Sequence, residues 1–200
     1  MIEREADQIA AMAAATPVLP LIYRILEESV AFYFSDEHYS DAARADHTDS
    51  AMANCIYSHA EKKLLAASDE SAGVFAINAR GMRVLNYRDV ALARFKKVKP
   101  NGKHSNYPTK QQRDYDDQKT LPGIPDPAFR LTAGYQLDVS GSVLERIMIA
   151  RPLGRNIFWT AQVTMIDSAV HWEDITPERF VGTGRSDFDA DRARRRRGGE

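Results

Sequence analysis

Seven cations stand within the twenty residues from Arg94 to Arg113, with no acid among them: Arg94, Lys96, Lys97, Lys99, Lys103, Lys110 and Arg113. His104 and Tyr107 are interleaved with them and Tyr115 follows. Cations gathered on one surface neutralise phosphates, and aromatic rings add stacking for bases. This run, with Tyr107, is therefore the candidate nucleic-acid or phosphate contact. Strand geometry attaches a condition. Side chains alternate along an extended strand, so Arg94 and Lys96 face one way and Lys97 and Lys99 the other. One continuous patch requires the strand to end there and the following loop to curl back. The plainer reading of the same residues is a solvated edge strand whose lysines keep other chains from pairing with it.

Other constellations offer less. Asp89, Asp114, Asp116 and Asp117 flank the basic run. Gathered around a metal they would serve a nuclease-like enzyme; singly, they offset the lysines. His38, His47 and His59 lie among acids but at none of the compact zinc-ligand spacings, so no metal is expected. Asp187, Asp189 and Asp191 have the spacing that opens a calcium loop, but Arg192 stands where that loop needs glycine. There is no Gly-x-Ser-x-Gly elbow and no glycine-rich phosphate loop between a strand and a helix, so neither a nucleophile nor a nucleotide cofactor has support. Cys55 falls on the apolar face of a helix, where a small buried thiol is the ordinary outcome. With no convergent catalytic set, the chain reads away from an enzyme.

Net charge conceals an asymmetry. The 200-residue chain carries 27 Lys and Arg against 28 Asp and Glu. Residues 1–72 hold 13 acids and 5 bases, while residues 73–113 hold 10 bases and Asp89 as their one acid. Either the acidic front folds over the basic middle and neutralises it, or the middle projects a positive potential toward a partner. A single cysteine excludes an internal disulfide and favours a reducing compartment. No run approaches the ~18 consecutive apolar residues of a spanning helix, and the acidic N-terminus is unlike a signal peptide. The expectation is a cytoplasmic protein without a membrane partner.

The elements that must position these residues follow from periodicity. Residues 2–15 and 20–33 read as helices separated by Thr16-Pro17, the second with the stripe Ile22, Ile25, Leu26, Val30 and Tyr33. Residues 35–47 read as loop. A further helix starts near Thr48 or Ser50 and buries Met52, Ile56, Ala60 and Leu64. Strands are predicted over 74–78, 82–87, 90–99, 131–139, 143–150 and 157–166, the last three antiparallel neighbours because their turns are short. Five prolines interrupt 100–128, but Thr109 to Gln112 has capping-box spacing for a short helix reaching about Lys119. The fold class is α+β: N-terminal helices packed on a mostly antiparallel sheet of five or six strands. The domain spans 1–182, helical over 1–72 and sheet over 73–166 with a Pro-rich insertion at 100–128, followed by a mobile basic tail at 183–200. Trp159 and Trp172 are placed in the core.

Arg94-Phe-Lys-Lys97, Ser105-Asn-Tyr-Pro-Thr109 with Gln111-Gln112, Leu121-Pro-Gly-Ile-Pro125, Ala133-Gly-Tyr135 and Arg151-Pro152 together resemble a group of uncharacterised bacterial proteins associated with helix-turn-helix regulators and phage or toxin–antitoxin loci. The resemblance spans about residues 84–165, rests on short motifs and carries no catalytic residues. It implies a partner protein in a regulatory or defence pair. The resulting expectation is a non-enzymatic binding or regulatory protein that contacts protein, nucleic acid or both through residues 94–113. A nucleic-acid-acting, nuclease-like toxin and a structural homodimer stay open as alternatives.

Overall fold

The computed structural model describes residues 3–104, 109–126 and 129–177. Tyr107 and the tail expected over 183–200 lie outside these residues. The chain opens with α1 (Arg4–Ala15) and α2 (Leu19–Phe34), joined by a single 3-10 turn at Thr16–Val18. Pro17 sits at the start of that turn, where its missing N–H costs nothing. The five predicted stripe positions of α2 are all buried. A one-turn helix, α3 (Asp41–Ala45), interrupts the stretch read as loop, with Ser40 as its N-cap. The long α4 (Asp49–Glu70) starts at Thr48, whose side chain accepts the Ala51 N–H at 3.2 Å. By length and composition the run Arg4–Phe34 also meets the requirement of a membrane-crossing helix, a property that counting consecutive apolar residues passes over. In this fold its apolar side is built into the core.

Among the described residues the strands are β1 (Val74–Ala79), β2 (Met82–Tyr87), β3 (Ala91–Lys97), β4 (Phe129–Leu137), β5 (Leu144–Leu153), β6 (Asn156–Ile166) and β7 (Ala169–Asp174). They form one seven-stranded sheet in sequence order. The expected count of five or six is corrected by β7, an edge strand with no fully buried residue, whose alternation rests on the two half-buried side chains Val170 and Trp172. It is reached through Asp167 and Ser168, both at positive φ, a hairpin geometry ordinarily announced by glycine or asparagine. All neighbours are antiparallel except β3 and β4, which are parallel with Arg94 opposite Thr132 and Lys96 opposite Gly134. A parallel pair needs a crossover, and the insertion between the two strands supplies it.

The two faces of the sheet are covered differently. α1, α2 and α4 pack on one face, where Ala91, Ala93, Phe95, Leu131, Ala133 and Tyr135 join the main core. The insertion lies on the other face, with α5 (Lys110–Asp116). There Tyr115, Leu121 and Ile124 form a second cluster with Val84 and Leu92. Val98 closes over β4: a Cβ on Gly134 would lie 2.5 Å from Val98 Cγ2. β4 is therefore buried on both faces, Thr132, Gly134 and Gln136 included, where alternation predicts a half-buried strand. It also ends at Leu137, leaving Val139 fully exposed.

Candidate functional site

β2 and β3 run side by side for only three paired positions, from Tyr87 with Ala91 to Leu85 with Ala93. Beyond that the strands part. Met82, Arg83 and Val84 remain paired with β1, and Arg94 to Lys97 remain paired with β4. The gap between them is a cavity of about 390 Å³. Its floor and sides come from Arg80 to Arg83 at the β1–β2 turn and from Arg94 to Lys97 of β3. On one side α4 presents Ala53, Tyr57 and Ala60, a single stripe at helical spacing whose two alanines leave room. On the other side stand Thr109, Gln111 and Gln112 at the start of α5.

The lining holds five cations (Arg80, Arg83, Arg94, Lys96 and Lys97) and no carboxylate. Three of the five are balanced by acids behind the wall. Arg83 Nε lies 2.8 Å from Glu61, Lys97 Nζ lies 3.6 Å from Asp49, and Arg94 Nη2 lies 2.8 Å from Asp116. The acidic front thus quenches part of the basic middle, through α4. Lys96 has no carboxylate within ion-pair distance among the described residues; its ammonium stands 5.5 Å from the centre of the Tyr57 ring. By alternation Lys96 leaves β3 on the face opposite α4, and it reaches Tyr57 because the sheet is open there. Burial first and the neighbouring Arg94 charge second, against a smaller opposing effect of Asp116, together bring its pKa down from 10.5 to about 8.

Two buried polar groups of the lining also lack a partner. Arg94 is 2% exposed, yet its Nε–H meets no acceptor. Tyr135 is equally buried, its hydroxyl has no hydrogen-bond partner, and burial raises its pKa far above the usual phenol value. Groups of this kind cost free energy unless something satisfies them. The acceptors of the lining, on Asn54, Thr109, Gln111 and Gln112, are all neutral, and a negative one suits its cations.

The insertion is fastened around this site. Gln111 Nε2 donates to the Ala79 carbonyl at 2.5 Å, tying α5 to the β1–β2 turn. Thr109 Oγ1 accepts the Gln112 N–H at 3.2 Å, the cap predicted from sequence. His104 lies 3.7 Å from Asp116 Oδ2 and 3.1 Å from the Gln112 amide. Arg94 is stacked over Tyr115, 4.3 Å from the ring centre. The Tyr115 hydroxyl donates to the Leu131 carbonyl at 2.9 Å.

The predicted contact residues are accordingly divided. Arg94 is an internal ion pair and no surface cation; Lys96 and Lys97 line the cavity; Lys99, Lys110 and Arg113 are exposed and Lys103 is half-buried. β3 does end at Lys97 and the chain turns back at Lys99 to Lys103, but the pairing of Arg94 with Asp116 takes that cation out of any surface patch. Arg80, Arg83, Tyr57 and Tyr135 escape the sequence reading. The arginines could have been found in the cation count of residues 73–113; Tyr57, beside the predicted stripe of α4, and Tyr135, at a core position of β4, carry no signal. The candidate carboxylates do not gather. Asp89 accepts from Asn86 at 2.7 Å, Asp114 and Asp117 face Lys119, and Asp116 holds Arg94. The histidines of the acidic half enter an aromatic cluster, with His38 stacked 3.7 Å from Phe32 and His47 Nδ1 2.8 Å from the Tyr33 hydroxyl. Among the described residues no group of three potential metal ligands is assembled. Cys55 is half-buried against the main core.

No family model, no curated protein and no solved structure matches this chain.

Proposed function

We propose that the chain is a non-enzymatic binding protein that takes a small anionic molecule, a carboxylate or phosphate ester with an apolar body, into the cleft between β2 and β3. The observation that carries this reading is the lining itself: five cations, no acid, and a lysine without a counter-ion beside two buried donors without acceptors. Tyr57, Phe95 and Met82 offer an apolar wall, as small-molecule sites generally do. A regulatory role fits a cleft closed by the same insertion that carries the exposed lysines. The test is calorimetric titration and thermal unfolding with inorganic phosphate and a panel of small carboxylates, on the wild type and on Lys96→Met. Saturable binding, with a raised unfolding temperature that Lys96→Met reduces about tenfold in affinity, supports the reading. Absence of saturable binding by any anion overturns it.

Lys99, Lys110 and Arg113 favour a second reading, nucleic-acid contact at the rim, because all three are exposed and unpaired among the described residues. Such binding weakens steeply with salt. Binding of single-stranded and duplex DNA that is absent at low salt removes it.

A further inference from the structure

We infer that Lys96 is an imine-forming amine, and that the ligand of the cleft carries an aldehyde or ketone beside its anionic group, as an α-oxo acid does. The inference rests on the anion-binding reading above and adds the chemical class of the ligand. Amines condense with carbonyls only as the free base, so a lysine suited to this must be sheltered from water, kept from carboxylates and given a cationic neighbour. Lys96 meets all three requirements by position. It lines the 390 Å³ cavity beside Phe95 and Tyr57. Asp116, the acid behind it, is held by Arg94 at 2.8 Å. Arg94 itself, two residues earlier on the same strand face, supplies the neighbouring charge. A value near 8 leaves an appreciable free-base fraction at neutral pH. Lys97 and Lys99 differ, the first paired with Asp49 and the second in open water.

The step balances without a further reagent. The neutral Nζ attacks the carbonyl carbon, and a C–N bond forms as the C=O π pair moves to oxygen. Two protons pass from nitrogen to that oxygen, which leaves as water, and a C=N bond remains. The anionic group of the ligand answers the unpartnered Arg94 Nε–H and the Arg83 and Arg80 charges.

The experiment is reductive trapping on the full chain. Protein is mixed with glyoxylate or with acetaldehyde, reduced with borohydride, digested, and the eight lysines are mapped by mass. Phosphate affinity is measured on the same preparation. The expected result is a glyoxylate adduct at Lys96 formed at least about tenfold faster than at Lys99 or Lys110, with a rate that rises with pH around 8. Acetaldehyde should react at Lys96 more slowly, and phosphate should compete with glyoxylate. Lys96→Arg, which keeps the charge but offers no imine-forming amine, should lose the adduct. Phosphate binding without preferential trapping at Lys96 overturns this inference alone. Equal trapping of both aldehydes, with no phosphate binding, overturns the anionic ligand class and with it the anion-binding reading.

Discussion

Arg94 on β3 and Asp116 at the end of α5 form a buried ion pair, Nη2 to Oδ1 at 2.8 Å, with side chains 3% and 13% exposed. It ties the sheet to the insertion that covers it, as Arg130 on β4 does with Asp126 at 2.8 Å. Removing one member leaves the other charge in an apolar setting, which costs far more than replacing both. Asp116→Leu should therefore destabilise by about 3 kcal/mol, and Arg94→Met combined with Asp116→Leu by clearly less than the two single changes together. Urea unfolding of the four proteins measures this; additive effects would show that the pair is not coupled.

Lys96 makes stability depend on pH in a defined sense. Its folded value is about 8 against 10.5 when unfolded. Between these values the unfolded chain holds more protons, so stability rises with pH across that window. Below about pH 8 both states are charged and the folded state carries the whole penalty, on the order of 1–2 kcal/mol after screening of a partly hydrated group. Lys96→Met should be more stable than the wild type by that amount at pH 7, and the gap should close toward pH 10.5. Parallel unfolding curves at pH 7, 8.5 and 10 read the gap directly. A gap that does not change with pH removes the assignment.

Much of this architecture is legible in the residues, and what is hidden is hidden for physical reasons. The stripe from Ile22 to Tyr33 and the caps at Thr48 and Thr109 are local signals, and the structure uses each as expected. The parallel pairing of β3 with β4 is non-local. Nothing in either strand distinguishes it from an antiparallel pair, and only the length of the intervening insertion points to a crossover. The burial of Arg94 depends on an acid 22 residues away and on the turn that brings α5 back over the sheet. Alternation correctly places Arg94 and Lys96 on one face, but it cannot announce that β2 stops pairing at Leu85, and that early stop creates the cleft. Tyr57 lies off the predicted stripe of α4 and Tyr135 sits at an alternating position of β4, so neither announces that it lines the cleft.

The rim cations can be separated from the cleft cations by salt. Lys99→Glu with Lys110→Glu removes two exposed charges, while Lys97→Glu alters a residue already paired with Asp49 at 3.6 Å. If nucleic acid uses the rim, the double variant should flatten the slope of log affinity against log salt by about two phosphates' worth, and Lys97→Glu should change it less. Phosphate-ion affinity in the cleft should not follow the double variant. Equal slopes in all three proteins exclude a rim contact through these lysines.

Asp7 anchors α1 to β5 and β6 on the helix-covered face of the sheet. Its Oδ1 accepts the Trp159 indole N–H at 2.7 Å and faces Arg151 Nε at 2.8 Å, while Asp7 is 7% exposed and Trp159 fully buried. Asp7→Ala would strand a guanidinium and an indole N–H together. A loss of about 3 kcal/mol follows from the unpaired buried charge, where Asp7→Asn, which keeps an acceptor, should lose less. Urea unfolding of the wild type and both variants measures this; equal stability of the two variants would show that the acceptor counts for nothing there, and stability of both equal to the wild type that the charge does not either.

The closure of the insertion over β4 rests on the absence of one methyl group. A Cβ at Gly134 would lie 2.5 and 2.7 Å from the two methyls of Val98, inside van der Waals contact, and Val98 is held in place where its N–H donates to the Tyr135 carbonyl at 3.0 Å. Gly134→Ala should cost roughly 1–3 kcal/mol, the usual penalty of overpacking. Val98→Ala alone should cost roughly 1–2 kcal/mol through a small cavity. The two together should cost less than their sum, because the new methyl occupies the space the valine gives up. Thermal and urea unfolding of the three variants decides it. Since Val98 directly follows the cleft strand, Gly134→Ala should also weaken anion binding through displacement of Lys96 and Lys97, and recovery of that affinity in the double variant would show that the lid and the cleft are one mechanical unit.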